Sequence, residues 1–220
     1  MLSSEAQAIL DEMYSAPQLQ GANGLVEIDP VTRIDRTKGS ELNRLVRENE
    51  TKDSLEIGLA YGFSTIWIMD ALAADGHHIA LDPFQLSLWK GVGQAQAQRL
   101  PGKRFEFLEE YSIHALSDFI RADKRFDFIF IDGNHRFDDV LVDFYLSDQA
   151  LKVGGLMVLD DMWMASIRTV AAFVVANRAY QVVRQASPGI LALRKMKDDD
   201  RNWRHFRPFG VAAKQPGGLD

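Results

Sequence analysis

The 220-residue chain contains no cysteine. Disulfides, thiolate metal sites and cysteine nucleophiles are therefore excluded. It also lacks any run of about 20 apolar residues, the length a bilayer-spanning helix needs, so no membrane association is expected. The opening stretch, MLSSEAQAILDEMYSA, has no basic start, and Glu5, Asp11 and Glu12 break up its apolar positions, unlike a signal peptide. These absences point to a cytoplasmic protein. Positive charge is scarce as well: 25 Lys and Arg against 31 Asp and Glu leave a formal net charge of −6. Without a basic tract there is no electrostatic footprint for nucleic acid or an anionic lipid surface. A small molecule is the expected partner. No Pro/Gly/Ser linker divides the chain, so residues 1–220 read as one domain.

Apolar residues make up 46 % of the chain, enough for a layered core. They fall into short runs separated by helical stretches. The runs are Ser54–Gly58, His78–Asp82, Arg104–Leu108, Phe126–Asp132 and Gly155–Asp160. Apolar runs bounded by turns and alternating with helices indicate an α/β fold, a parallel sheet covered on both faces. Gly154 and Gly155 read as the end of the helix before the last run. A helix follows from about residue 163 to Arg178. Then YQVVRQ, the turn Ser187-Pro188-Gly189 and ILALRKM read as a closing antiparallel hairpin. The sum is a doubly wound, mostly parallel sheet of seven strands. Residues 1–50 read as two or more helices against the sheet edge, the first with Ala6, Ile9, Leu10 and Met13 on one face. Residues 51–196 form the core, and 197–220 a charged, extended tail.

The segment SLEIGLAYGFST runs from strand to helix through Gly58 and Gly62. In doubly wound sheets ligands bind at the carboxyl ends of the strands, where glycines allow close approach and a helix N-terminus attracts negative groups. The dinucleotide pattern G-x-G-x-x-G is not met: Ala60 and Phe63 stand where glycines would fall. Asp82 ends the next strand some 20 residues on, where an acid accepts hydrogen bonds from ribose hydroxyls; it also suits a helix cap.

LEIGLAYGFST, with TKGSELNRLV before it and Asp82 after it, resembles the donor-binding segment of class I S-adenosylmethionine-dependent methyltransferases. The resemblance is to the catechol and caffeoyl-CoA O-methyltransferases and to the macrocin O-methyltransferase type, and runs from about Ile34 to Trp163. It implies a Rossmann-like core that binds S-adenosylmethionine. Glu56, Gly58, Gly62 and Ser64 would contact the methionine part, Asp82 the ribose, and Ser112 would lie beside adenine. Ala60 departs from the usual glycine-rich loop by one methyl group. Asp132 is counted with both the donor set and the metal set.

Two more strands end in acid, at Asp132 and at the pair Asp160–Asp161. Three carboxylates on one sheet edge repel one another unless a cation lies between them, and oxygen ligands suit Mg²⁺, Ca²⁺ or Mn²⁺. Each could instead cap the following helix. The resemblance implies Mg²⁺ at these three positions. His135, three residues beyond Asp132, matches the D-x-x-H spacing of the macrolide-sugar enzymes, where the animal catechol enzymes carry a lysine base. Histidine is suited to take a proton near neutral pH. Met162, Trp163 and Met164 read equally as an acceptor wall or as core. The expected activity is methyl transfer to a hydroxyl of a small metabolite with Mg²⁺ assistance. The alternatives are a metal-independent methyltransferase, an NAD-dependent oxidoreductase and a non-catalytic nucleotide-binding protein. Analogy with such enzymes suggests a homodimer.

Overall fold

The computed structural model describes residues 2–184 and 186–210. Helix α1 (Ser4–Ser15) starts where the Ser3 side chain accepts from the Ala6 amide. Strands β1 (Gln18–Gly21) and β2 (Gly24–Glu27) then form a small antiparallel hairpin, absent from the expectation of helices alone for this region. Helix α2 (Arg36–Glu48) is capped by Asp35, whose carboxylate accepts from the Lys38 amide at 2.8 Å. That cap puts Lys38 in the first turn, facing back towards the sheet.

The core alternates as the periodicity predicts. It comprises β3 (Asp53–Ile57), α3 (Phe63–Ala71), β4 (His77–Leu81), α4 (Val92–Ala97), β5 (Arg104–Leu108), α5 (Ser112–Arg121), β6 (Phe126–Ile131), α6 (Phe137–Ala150), β7 (Leu151–Leu159), α7 (Ala165–Asn177), β8 (Tyr180–Val182) and β9 (Leu191–Lys195). The seven strands lie in the order β5-β4-β3-β6-β7-β9-β8. The first five are parallel to one another, while β9 pairs antiparallel with both β7 and β8. This is the expected doubly wound sheet with its closing hairpin. One boundary differs. Gly154 and Gly155 lie inside β7 and do not end a helix, because α6 already stops at Ala150.

Strand alternation sorts the core into two layers. Phe128, Phe130, Leu156 and Val158 pack with α1, α2 and α3. Ile129, Ile131, Met157 and Leu159 pack with α5, α6 and α7 on the other face. Fully burying such side chains stabilises the fold by roughly 1.5–3 kcal/mol each. The tail from Lys197 carries no helix or strand up to Gly210, as expected. It is nonetheless tied down: the Asn177 side chain brackets the Arg207 backbone, and Phe209 packs edge-on against Phe173. Residues 211–220, with Pro216 and the glycine pair, lie outside the described residues.

The chain reverses direction across the sheet between β3 and β6. Their carboxyl ends meet at this switch point, where the Asp132 amide donates to the Ile57 carbonyl at 2.9 Å. A ligand crevice is expected there.

Candidate active site

A cavity of about 990 Å³ opens over the carboxyl ends of β3, β4, β6 and β7. One end is built by the loop between β3 and α3. Gly58 has φ 98°, and a Cβ there would lie 2.1 Å from the Asp132 carbonyl oxygen. Only glycine allows the two strand ends to approach so closely. Ala60 holds φ 42°, a left-handed conformation, and Gly62 caps α3 at φ 83°. The loop is fixed from beneath by Asp82. One carboxylate oxygen accepts from the Ala60 amide and the other from the Phe84 amide, both at 2.9 Å. Asp82 thus serves the turn and faces the cavity as well. Burial pushes its carboxyl up, and those backbone amides oppose the shift.

Gly58, Ala60, Gly62, Ser64, Asp82 and Ser112 all line the cavity, as do Asp132, His135, Asp160 and Asp161. Glu56 does not. Its side chain falls on the α3 face of β3, fully buried, where it hydrogen-bonds to Thr65 at 2.5 Å and lies 3.1 Å from His78 Nε2. His78 in turn meets Ser54 at 2.8 Å. The carboxylate expected at the donor instead anchors an internal polar chain between β3, β4 and α3, with one oxygen, Oε1, left without a hydrogen-bond partner.

The same cavity holds the acids. His135 Nε2 lies 3.0 Å from Asp161 Oδ2 and 3.6 Å from Asp132 Oδ1. Asp160 points elsewhere: its Oδ1 sits 2.7 Å from Lys38 Nζ, a charge contact lying off the hydrogen-bond axis. The same ammonium donates to Asp161 Oδ1 at 3.1 Å. Asp161 therefore bridges Lys38 and His135. The neighbouring carboxylates, Asp132 then Asp161, raise the His135 imidazole to about 10, so it carries its proton at neutral pH. Burial, then the Asp160 charge, pushes Asp132 up. Burial works against a charged Asp161, but His135 and Lys38 outweigh it and hold that carboxyl low. Burial also works against the Lys38 charge, and the two carboxylates overcome it.

These contacts change the expected metal set. One donor atom each from Asp132, His135 and Asp161 lies within 4.8 Å of the others, so these three fit around a single cation. Two carboxylate oxygens and an imidazole suit a first-row divalent ion. Asp160 is turned to Lys38 and stands outside that set. Of the acceptor-wall candidates, Trp163 and Met164 line the cavity and Met162 does not; Met162 and Met164 are both partly buried against the core.

Lys38 and Asp143 are among the lining residues that the sequence reading did not single out. Lys38 lies within TKGSELNRLV, but nothing local marks the acids it meets. Asp143 lies on α6 next to the buried apolar position Phe144, and an acid beside such a stripe was the available signal.

Residues 55–162 match the family described as Methyltransferase domain. That segment belongs to this methyltransferase family. The methyltransferase segment runs from within β3 to the residue after Asp161 and holds most of the cavity lining, with Lys38, Trp163 and Met164 outside it. Caffeoyl-CoA O-methyltransferase 1 of Eucalyptus globulus is 30 % identical over 133 residues, covering 59 % of this chain and 53 % of that protein. The chain thus spans about half the length of the curated relatives it matches. Among solved structures, the O-methyltransferase from Bacillus cereus in complex with SAH superimposes with a TM-score of 0.67 at 20 % identity, covering 88 % of this chain and 91 % of that one. The MycE methyltransferase of the mycinamycin biosynthetic pathway, in complex with Mg and SAH, gives a TM-score of 0.53 at 17 % identity over 73 % of this chain and 50 % of its own. These likenesses show the class I methyltransferase fold. Among the described residues no helix is long and apolar enough to cross a membrane.

Proposed function

We propose that this protein is an S-adenosylmethionine-dependent O-methyltransferase acting on a hydroxyl of a small metabolite. The observation that carries the reading is the single cavity that joins the Gly58–Ser64 loop and Asp82 to His135, Asp132 and Asp161. The donor lies along the loop, its methionine carboxylate at the start of α3 and its ribose by Asp82. The sulfonium methyl then faces the acidic end. The acceptor oxygen attacks the methyl carbon as the carbon–sulfur bond breaks, and the sulfur keeps that electron pair as a thioether. The protein's main contribution is alignment of the two reactants.

The acceptor proton needs a base, and His135 is the side chain placed to take it. Beside the Asp132 and Asp161 carboxylates His135 already holds a proton and can only donate. It becomes a base once that negative charge is met from elsewhere. Asp132, His135 and Asp161 would hold a divalent cation, Mg²⁺ among the candidates. Such an ion, when bound, supplies charge that lowers the pKa of a hydroxyl beside it. The caffeoyl-CoA enzymes and MycE support this assignment by likeness.

Lys38 favours a second reading, methyl transfer without a metal. Its ammonium already gives Asp160 and Asp161 a cation. Isothermal titration with S-adenosylhomocysteine, with and without Mg²⁺ or Mn²⁺, tests both readings. Binding of the homocysteine product is expected, and its absence overturns the methyltransferase assignment. A separate heat of metal binding that disappears in Asp161→Ala supports the metal-assisted form. Turnover of hydroxylated acceptors that survives EDTA supports the other.

A further inference from the structure

Asp143 lies on α6 where that helix faces α5 and the cavity. The residue is 4 % exposed. Ser112, the first residue of α5, donates its hydroxyl to Asp143 Oδ1 at 2.5 Å. The other oxygen, Oδ2, lies beside Gly133, 3.7 Å from where a Cβ on that glycine would be. Among the described residues no cation offsets this carboxylate; the charged neighbour acting on it is another acid, Asp139. Burial pushes its carboxyl up to about 6. A desolvated carboxylate with one hydrogen bond is unfavourable unless something else donates to it. It opens onto the cavity, so a ligand can supply that donor.

The surroundings define the ligand group. Phe84 and Tyr111, edge to face with ring centroids 5.9 Å apart, line the cavity next to Ser112. Asp82 and Gly133 line the same cavity. Aromatic faces and a glycine in one cavity suit a flat heterocycle. Its edge then points at Asp143, and that edge must carry an N–H.

We propose that Asp143 is a specificity-determining residue that reads the 6-amino group of the donor's adenine, accepting its N–H at Oδ2 while Ser112 fixes Oδ1. This rests on the methyl-donor reading above. An ionised carboxylate only accepts. It matches an amino group at ring position 6 and repels a carbonyl oxygen there. Sites built to bond a particular polar group discriminate strongly against analogues that lack it.

The test compares S-adenosylhomocysteine with S-inosylhomocysteine, in which the amino group is replaced by oxygen. Both are titrated calorimetrically into wild type, Asp143→Asn and Ser112→Ala. Wild type should prefer the adenine compound by at least about tenfold. In Asp143→Asn the side-chain amide can turn its N–H to the oxygen, so the preference should fall below about threefold. Loss of bulk or packing alone would weaken both ligands equally and leave the ratio unchanged. Ser112→Ala keeps the carboxylate but frees it, so the preference should shrink without vanishing; this variant carries the test if Asp143→Asn does not fold. An unchanged preference in the variants, or equal binding of both compounds by wild type, overturns the role of Asp143 alone. Failure of wild type to bind the adenine compound at all overturns the donor reading with it.

Discussion

His135 Nε2 sits 3.0 Å from Asp161 Oδ2, in the same cavity that the Gly58–Ser64 loop lines. The role proposed for His135 is in the reaction and not in donor binding. His135→Gln should lower kcat by about 10²–10⁴-fold, the range typical of losing a general acid or base. The Kd for S-adenosylhomocysteine should stay within about threefold of wild type, because no donor contact is removed. Steady-state kinetics and calorimetry on the same preparation check this. A parallel loss of donor affinity would show that His135 supports the cavity as a whole.

Lys38 and Asp160 form the most enclosed ion pair of the site, with side chains 16 % and 3 % exposed. Lys38→Met keeps length and apolar bulk but strands the Asp160 carboxylate. Breaking a buried pair by removing one partner costs about 3–5 kcal/mol. The expected loss by urea denaturation is about 3 kcal/mol, reduced from the upper end because Asp161 still receives His135. Adding Asp160→Asn should restore part of it, a coupling of about 1–3 kcal/mol. Strictly additive losses would mean that the two side chains do not stabilise each other.

Much of this was legible in the sequence because it depends on local pattern. FDFIFID is apolar over a strand's length and ends in an acid, so both the strand and the placement of Asp132 at the ligand edge follow from one run. The D-x-x-H spacing likewise keeps His135 within reach of Asp132. The pairing of Lys38 with Asp161 spans 123 residues and depends on how α2 docks against the sheet, which no local spacing encodes. Glu56 shows a related limit. Strand period two placed it on the α3 face, but the partner it met, His78, comes from a neighbouring strand. The hairpin at Gln18–Glu27 did carry a signal, Asn23 in its two-residue turn with Gly24 directly after it, flanked by strands too short to stand out.

Gly58 and Ala60 both hold positive φ, at 98° and 42°, yet opposite substitutions should move stability in opposite directions. Gly58→Ala would bring a methyl group 2.1 Å from the Asp132 carbonyl oxygen, and both atoms belong to strand ends that cannot part without opening the sheet. A loss of at least about 3 kcal/mol is expected, in the range of severe steric substitutions. Ala60→Gly removes a left-handed strain of roughly 1–2 kcal/mol while adding unfolded-state entropy of about 0.4–1 kcal/mol. The net should be neutral to mildly stabilising, by about 1 kcal/mol or less. Denaturation midpoints of the two variants separate these cases, and a destabilised Ala60→Gly would mean that the methyl group packs against something the loop requires.

Asp143 gives the fold a pH dependence of definite sign. Its carboxyl is raised from 3.8 to about 6 by burial, so the folded state binds its proton more tightly than the unfolded state does. Its stabilising contribution is complete below about pH 4 and is lost as the pH rises through about 6. Asp143→Asn keeps the shape and the bond from Ser112 but cannot ionise. The variant and wild type should therefore be close in stability at pH 4. Between pH 4 and pH 8 the variant should gain up to roughly 3 kcal/mol on wild type, the full value of a shift of about two units. Urea denaturation of both proteins at half-unit pH steps measures the difference directly. A flat difference across that window would show that the Asp143 carboxylate is solvated in the folded protein, and a difference of the opposite slope would require a cation close to Asp143 that stabilises its charge.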